Sequence, residues 1–276
     1  MVAVSALPCS YSRAWSPSDD PTLFAWFDAD SFSARDGGTA AKWVNKEGTT
    51  ARDMIGGSDA TTDPQLCGSS DFLNGRAGVE FDQDTSELDV LQTSGTVVDL
   101  DDQPYTVCLV VKDSNQVDID YFLLFFEGGN VASFFTGELA FGGNVYLYGQ
   151  SGGFNFSPPQ SYSHALTSDE KTALAAGATL TTVADGSNYT PFFNGVALDL
   201  GTSLQQDSTT NAASMVVGAL QTFGTDATLY ELVICIGTGS NDNAKAIEGY
   251  LAHRYGRTLP DTHKYKKGQP WGLGIK

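Results

Sequence analysis

Carboxylates raise the first chemical question. A retaining glycosidase needs two of them about 5 Å apart, one as nucleophile and one as acid/base. A strand that carried the pair as E-x-D-x-E would place alternate residues on one face. The nearest match is "ELDVLQ" (87–92), where Glu87 and Asp89 are present but Leu91 and Gln92 stand where the second glutamate should be. Without that acid/base group the reaction loses its proton donor, so the segment reads as an ordinary strand and the chain as no enzyme. Asp28 and Asp30 flank Ala29 at one strand end, and Asp82 and Asp84 stand at another. Solvated acidic loops are the expected reading at this net charge; clustered loop carboxylates also suit a hard cation, which makes Asp28 and Asp30 the candidate calcium ligands.

The remaining reactive types are sparse. His164, His253 and His263 have no nucleophile motif such as GxSxG beside them. His253 falls opposite the apolar stripe of a C-terminal helix and reads as solvated. Cys9, Cys67, Cys108 and Cys235 show no metal-ligand spacing. Cys108 and Cys235 sit inside apolar strand candidates, where a reduced cysteine behaves as a small hydrophobe. Trp15, Trp43 and Trp271 could stack on sugar faces and Trp26 lies within a strand, but core or anchor roles are the safer reading for all four.

Charge narrows the partners. The chain of 276 residues carries 33 acidic and 15 basic side chains, a formal charge of −18. Such a body repels phosphate backbones and anionic lipid, so neither nucleic acid nor membrane is expected as a partner. The imbalance is uneven. Residues 245–276 hold seven of the basic residues and only Glu248 and Asp261 as acids, so the end carries +5 and the rest −23. The tail either lies back on its own acidic domain or docks on an acidic partner. Its candidate contacts are Lys264, Lys266, Lys267 and Trp271. At the other end, residues 1–20 form a Pro- and Ser-containing arm with Tyr11 and Trp15 as candidate anchors.

The elements that must position these groups are mostly strands. "TLFAWFDAD" (22–30), "AGVEFDQ" (77–83), "YTVCLVVK" (105–112), "IDYFLLFFE" (119–127), "VASFFTG" (131–137), "NVYLYG" (144–149), "SMVVGAL" (214–220) and "TLYELVICIG" (228–237) are bounded by Gly, Asn or Asp. Near-continuous apolar runs among them predict strands covered on both faces. "KTALAAGATLTTVADGS" (171–187) mixes signals and reads as a strand, and 150–165 as a surface loop. Asn194-Gly195 between apolar runs predicts a two-residue type I′ hairpin. Ala244, Ile247, Leu251 and Tyr255 fall on one helical stripe, with capping residues at 240–242 and a stop at Gly256. The expected fold is all-β: a two-sheet antiparallel jelly-roll sandwich over 21–240, one C-terminal α-helix over 241–256 packed on it, and extended termini, the basic tail being 257–276.

Several of these segments together resemble one family. "LFAWFDADS", "AAKWVNKEGTTA", "GRAGVEFD", "YTVCLVVK", "FFNGVAL", "ATLYELVIC" and above all "AIEGYLAHRYGRTLPDTHKYK" are similar to the laminin-G-like branch of the concanavalin A-like lectin/glucanase superfamily, over roughly 22–266. The resemblance implies a jelly roll whose concave face or edge loops bind glycans, sometimes with calcium, and whose last helix packs on the sandwich rim. The chain departs from many relatives after Trp43, where Val44, Asn45, Lys46, Glu47 and Gly48 replace an Asp and a Ser-Gly-Asn turn.

Endings of this kind occur in phage virion proteins and in marine bacterial surface proteins. The resemblance therefore implies a non-enzymatic virion component, a phage decoration, fibre or tail protein, oligomeric within its assembly and partnered by capsid or tail proteins. The start of the sequence lacks a positive n-region, which fits folding in the host cytoplasm. The alternative is an extracellular carbohydrate-binding module of a bacterial surface or adhesive protein.

Overall fold

The computed structural model describes residues 14–36, 39–57, 63–84, 87–95, 97, 103–113, 119–127, 130–139, 144–150, 161–198, 204–205, 214–220, 223–237, 239–268 and 270. Among these, two large antiparallel sheets stack face to face. In the first, strands Val196–Ala197, Asn188–Phe193, Ala178–Ala184, Tyr105–Lys112, Ala227–Ile236, Val79–Phe81 and Gln65–Leu66 follow one another, and Leu23–Asp28 also pairs with Ala227–Ile236. The second runs Ser161–Ala165, Asn144–Gln150, Asn130–Leu139, Ile119–Glu127, Ser214–Val217, Leu91–Thr93, Met54–Gly56, Lys42–Trp43 and Phe32–Ser33.

The long strands of the first sheet are buried along almost their whole length because both faces are covered. On the inner face Phe27, Val107, Leu109, Leu229, Leu232 and Ile234 meet Trp43, Met54, Leu91, Met215 and Val217 of the second sheet. On the outer face Trp26, Cys108, Val110, Tyr230, Val233 and Cys235 meet Ile247, Tyr250, Leu251 and Tyr255 of a helix. Covering both faces explains the continuous apolar runs, since neither set of alternating side chains can be polar. Cys108 and Cys235 are the buried, unbridged residues expected of them; Cys9 lies outside the described residues.

There are two α-helices among the described residues, where the sequence predicts one. α1, Ser168–Ala175, and the strand Ala178–Ala184 together replace the single strand expected over 171–187. The cause is local. Thr167 caps the backbone N–H of Glu170 while the Glu170 side chain reaches back to Thr167, a capping box that starts a helix in a mixed segment. Gly177, at φ +97°, then turns the chain into the strand. The expected loop over 150–165 ends in a strand from Ser161; residues 151–160 lie outside the described residues. The Asn194-Gly195 hairpin forms as expected, both residues having positive φ (49° and 76°) and Phe193 pairing with Val196.

α2, Asn241–Tyr255, is capped by the Ser240 hydroxyl and closed by left-handed Gly256, and the predicted stripe of Ala244, Ile247, Leu251 and Tyr255 is fully buried. The tail then folds back over it. Gly249 lies so close beneath Tyr265 that a Cβ there would come within 2.6 Å of the Tyr265 Cβ. His253, expected in solvent, instead has its Nε2 2.8 Å from the Tyr265 carbonyl oxygen. His263 is buried and its Nε2 stands 3.2 Å from Oε2 of the equally buried Glu248. The backbone N–H of Trp15 donates to Pro270 O, so one strap from each end of the chain meets over α2.

An exposed helical Gly→Ala substitution stabilises by about 1 kcal/mol through helix propensity. At Gly249 the opposite sign is expected. Gly249→Ala should lower the melting temperature and open the 264–267 segment to trypsin, both read against the parent chain.

Candidate functional site

The densest charged chemistry among the described residues lies where α2 crosses the outer face of the first sheet. It is organised by a β-bulge. Val110 pairs with Glu231 and Val111 with Leu229, so Tyr230 is the extra residue and both Tyr230 and Glu231 turn toward the helix. A bulge re-aims side chains in this way while leaving Leu229 and Leu232 in the inner core. Glu231 is completely buried and stands directly across the strand pair from Asp28, also completely buried. Two carboxylates in opposed positions repel.

Arg254 of α2 resolves the conflict by bridging them. Its Nε lies 2.9 Å from Glu231 Oε2 and its Nη2 donates to Asp28 Oδ2 at 2.7 Å. Lys46 Nζ donates to the same Asp28 oxygen at 2.6 Å and lies 4.2 Å over the Trp26 ring. Trp26 Nε1 and the Tyr255 hydroxyl donate to the two oxygens of Glu231 at 2.7 and 2.8 Å. Burial still pushes the Glu231 carboxyl up, against the opposing pull of Arg254 and these donors. Burial, then the Glu231 charge, holds the Tyr255 phenol far above its ordinary range, which keeps it a donor.

The turn after Trp43 serves the same cluster. Asn45 Oδ1 accepts from the backbone of Trp26 at 2.9 Å and its own N–H donates to Asp53 at 2.8 Å, which aims Lys46 at Asp28. Trp43 is fully buried between the sheets, with Nε1 donating to Asp28 O at 2.7 Å, so it offers no face to a sugar.

Asp28 Oδ2 thus meets two cations, Lys46 and Arg254, while Oδ1 of the same carboxylate is buried without a hydrogen-bond partner. Asp30 is exposed, with Arg254 and Arg76 at 3.5 and 3.9 Å. Among the described residues no group of three or more His, Cys, Asp or Glu could hold a metal. Trp15 packs edge-on against Tyr250, with ring centroids 6.0 Å apart, and Lys264, Lys266 and Lys267 are exposed on the folded-back tail. Tyr11, Trp271 and the Glu87 side chain lie outside the described residues. Asp89 accepts from the Asp82 backbone at 2.9 Å; burial, then the charges of Asp82, Asp63 and Glu80, raises its carboxyl to about 6.

Glu231 and Arg254 were missed from the sequence, although a signal was there. Glu231 is the one acidic or basic side chain interrupting "TLYELVICI", and a charge inside a fully buried strand requires a partner. Nothing local says that the partner is Arg254.

No protein-family model matches the chain, and no curated protein matches it. Solved structures share its fold. The binding domain of Paraclostridial Mosquitocidal Protein 1 aligns with a TM-score of 0.54 at 11% identity, over 88% of this chain and 56% of that one. The receptor binding domain of botulinum neurotoxin D aligns with a TM-score of 0.55 at 10% identity, over 87% and 55%. Trypanosoma rangeli sialidase aligns with a TM-score of 0.55 at 9% identity, over 87% and 34%. This chain therefore spans about half the length of those binding domains and about a third of the sialidase. At these identities the likeness shows the fold alone, a two-sheet β-sandwich.

Two substitutions test the cluster. Arg254→Met should destabilise by about 3–5 kcal/mol in denaturant unfolding, because Glu231 is left buried without its counter-charge. Adding Glu231→Gln, which removes the buried charge, keeps an oxygen for Trp26 and turns an amide N–H toward the Tyr255 hydroxyl oxygen, should recover part of that loss. Asp89 tests the sign of a raised carboxyl. Its folded value, about 6, lies above the ordinary 3.8, so the native state holds more protons between the two and stability falls as pH rises through that window. Asp89→Asn, which retains an acceptor for Asp82, should melt higher than the parent above about pH 7 and converge with it below about pH 4.

Proposed function

We propose that the chain is a non-catalytic, lectin-like binding module that serves as a structural or host-attachment component of a virus particle, a phage decoration, fibre or tail protein. The observation that carries the binding role is the alignment of 88% of the chain with a toxin binding domain. The arrangement of acids supports it. The buried carboxylates Asp28 and Glu231 are taken up by Lys46 and Arg254 and hold the helix in place, leaving neither free to act as nucleophile or acid. The laminin-G-like resemblance supplies glycans as the ligand class and capsid or tail proteins as the partners.

The test is binding of the isolated chain to a glycan array that includes bacterial surface polysaccharides, with calcium and with EDTA, while released reducing ends are assayed. Binding without cleavage is expected. Cleavage would overturn the non-catalytic reading, and silence in both conditions would overturn the glycan ligand. Presence of the chain in purified particles distinguishes the virion role from that of an adhesive module on a bacterial surface.

A further inference from the structure

The lysine–carboxylate pairs of the described residues differ in how far water reaches them. Lys112–Asp71 and Lys266–Asp261 keep both partners partly in solvent, and Lys42 of the Lys42–Asp53 pair is exposed. Lys46–Asp28 stands apart. The Asp28 side chain is 1% exposed, the Lys46 Nζ lies 2.6 Å from its Oδ2, and its Oδ1 is buried without a hydrogen-bond partner. The Trp26 ring covers the amine at 4.2 Å, and Tyr250 packs edge-on against Trp26.

The backbone fixes the approach. Lys46 N–H donates to Trp26 O at 2.8 Å and Asn45 Oδ1 accepts from Trp26 N–H, so the 45–46 turn is tied to the strand that ends in Asp28. An amine held against a carboxyl in this way has already given up the freedom that a bimolecular encounter would cost. Burial penalises an ion pair far more than a neutral product, so dry surroundings shift the balance between salt and amide toward the amide. The charges of the cluster allow it. Asp28 and Glu231 face Lys46 and Arg254, two against two, and an amide at Lys46 leaves Glu231 with Arg254, one against one.

We propose that Lys46 and Asp28 condense to an isopeptide bond, a covalent cross-link that the chain forms by itself. The ammonium passes one proton to Oδ2, giving amine and acid. The Nζ lone pair then forms the bond to Cγ, a second Nζ proton moves to Oδ2, and the Cγ–Oδ2 bond breaks with its electron pair going to oxygen. One water leaves, Nζ keeps one hydrogen as a secondary amide, and Oδ1 becomes the carbonyl oxygen. No oxidant, external base or cofactor enters the balance. Arg254, whose Nη2 donates to Oδ2 at 2.7 Å, stabilises the charge that collects on that oxygen as it departs. The link closes a loop over residues 28–46, which contains the strands Phe32–Ser33 and Lys42–Trp43, and so fastens one edge of the second sheet to the first. Such a closure lowers the entropy of the unfolded chain. The inference needs neither a glycan nor a virion, and stands or falls apart from the proposed function.

The test is the mass of the purified full chain, denatured after several days at neutral pH, together with a tryptic map. A mass one water below that of the sequence is expected. Ala14–Arg35 and Trp43–Arg52 should be recovered as one branched peptide, since trypsin does not cut after an acylated lysine. Lys46→Arg keeps a cation on Asp28 but has no condensing amine. It should show the full mass, the parent's circular dichroism and a lower melting temperature. Full mass in the parent, with peptides cut at Lys46 recovered singly, would overturn the proposal. So would a water loss that maps to other residues or persists in Lys46→Arg.

Discussion

The strand Ala227–Ile236 is apolar on both faces and lies at the centre of the first sheet, so the fold depends on two separate covers for it. The second sheet supplies one through the inner core and α2 supplies the other. A sandwich alone would leave Tyr230, Val233, Cys235 and Trp26 against water. This is why a β-rich chain closes on a helix. The helix is a third layer and its stripe is as buried as the sheet it covers.

Within that outer layer the awkward element is a pair of opposed carboxylates. Asp28 and Glu231 face each other across two strands in an apolar interface, and only a cation delivered by the helix reconciles them. A buried ion pair contributes less to stability than apolar residues of the same size would, so its worth lies in specifying one arrangement. Arg254 reaches both acids from a single register of α2, and the bulge at Tyr230 sets the height of Glu231. Sliding the helix by a turn would leave Glu231 buried without a counter-charge and Asp28 with Lys46 alone.

The outer side of α2 is in turn covered by the chain's own ends. Gly249 makes room for Tyr265, His263 reaches Glu248, and Trp15 meets Pro270. Part of the tail's positive charge is thereby fixed as a rigid surface feature. The helix side of the molecule is occupied by its own chain.

Much of this was legible in the sequence. The apolar runs at 105–112 and 227–236, the Asn194-Gly195 turn and the stripe ending at Tyr255 each reflect a local rule, namely alternation, positive φ or helical period, and local rules act on neighbours along the chain. The helix at 168–175 was readable by the same kind of rule, in the Thr167 to Glu170 capping box, and was outweighed by Gly177 and the threonines after it. The rest was decided only by tertiary structure. Asp28 reads as part of a solvated acidic loop, or else a calcium ligand, and is a buried member of an ion-pair bridge. His253 reads as solvated and lies against the tail. In each case the deciding partner lies elsewhere in the chain or in space: Arg254 is 226 residues from Asp28. Charge and burial are properties of the assembled layers, and sequence spacing carries no information about which side chain will stand across from which.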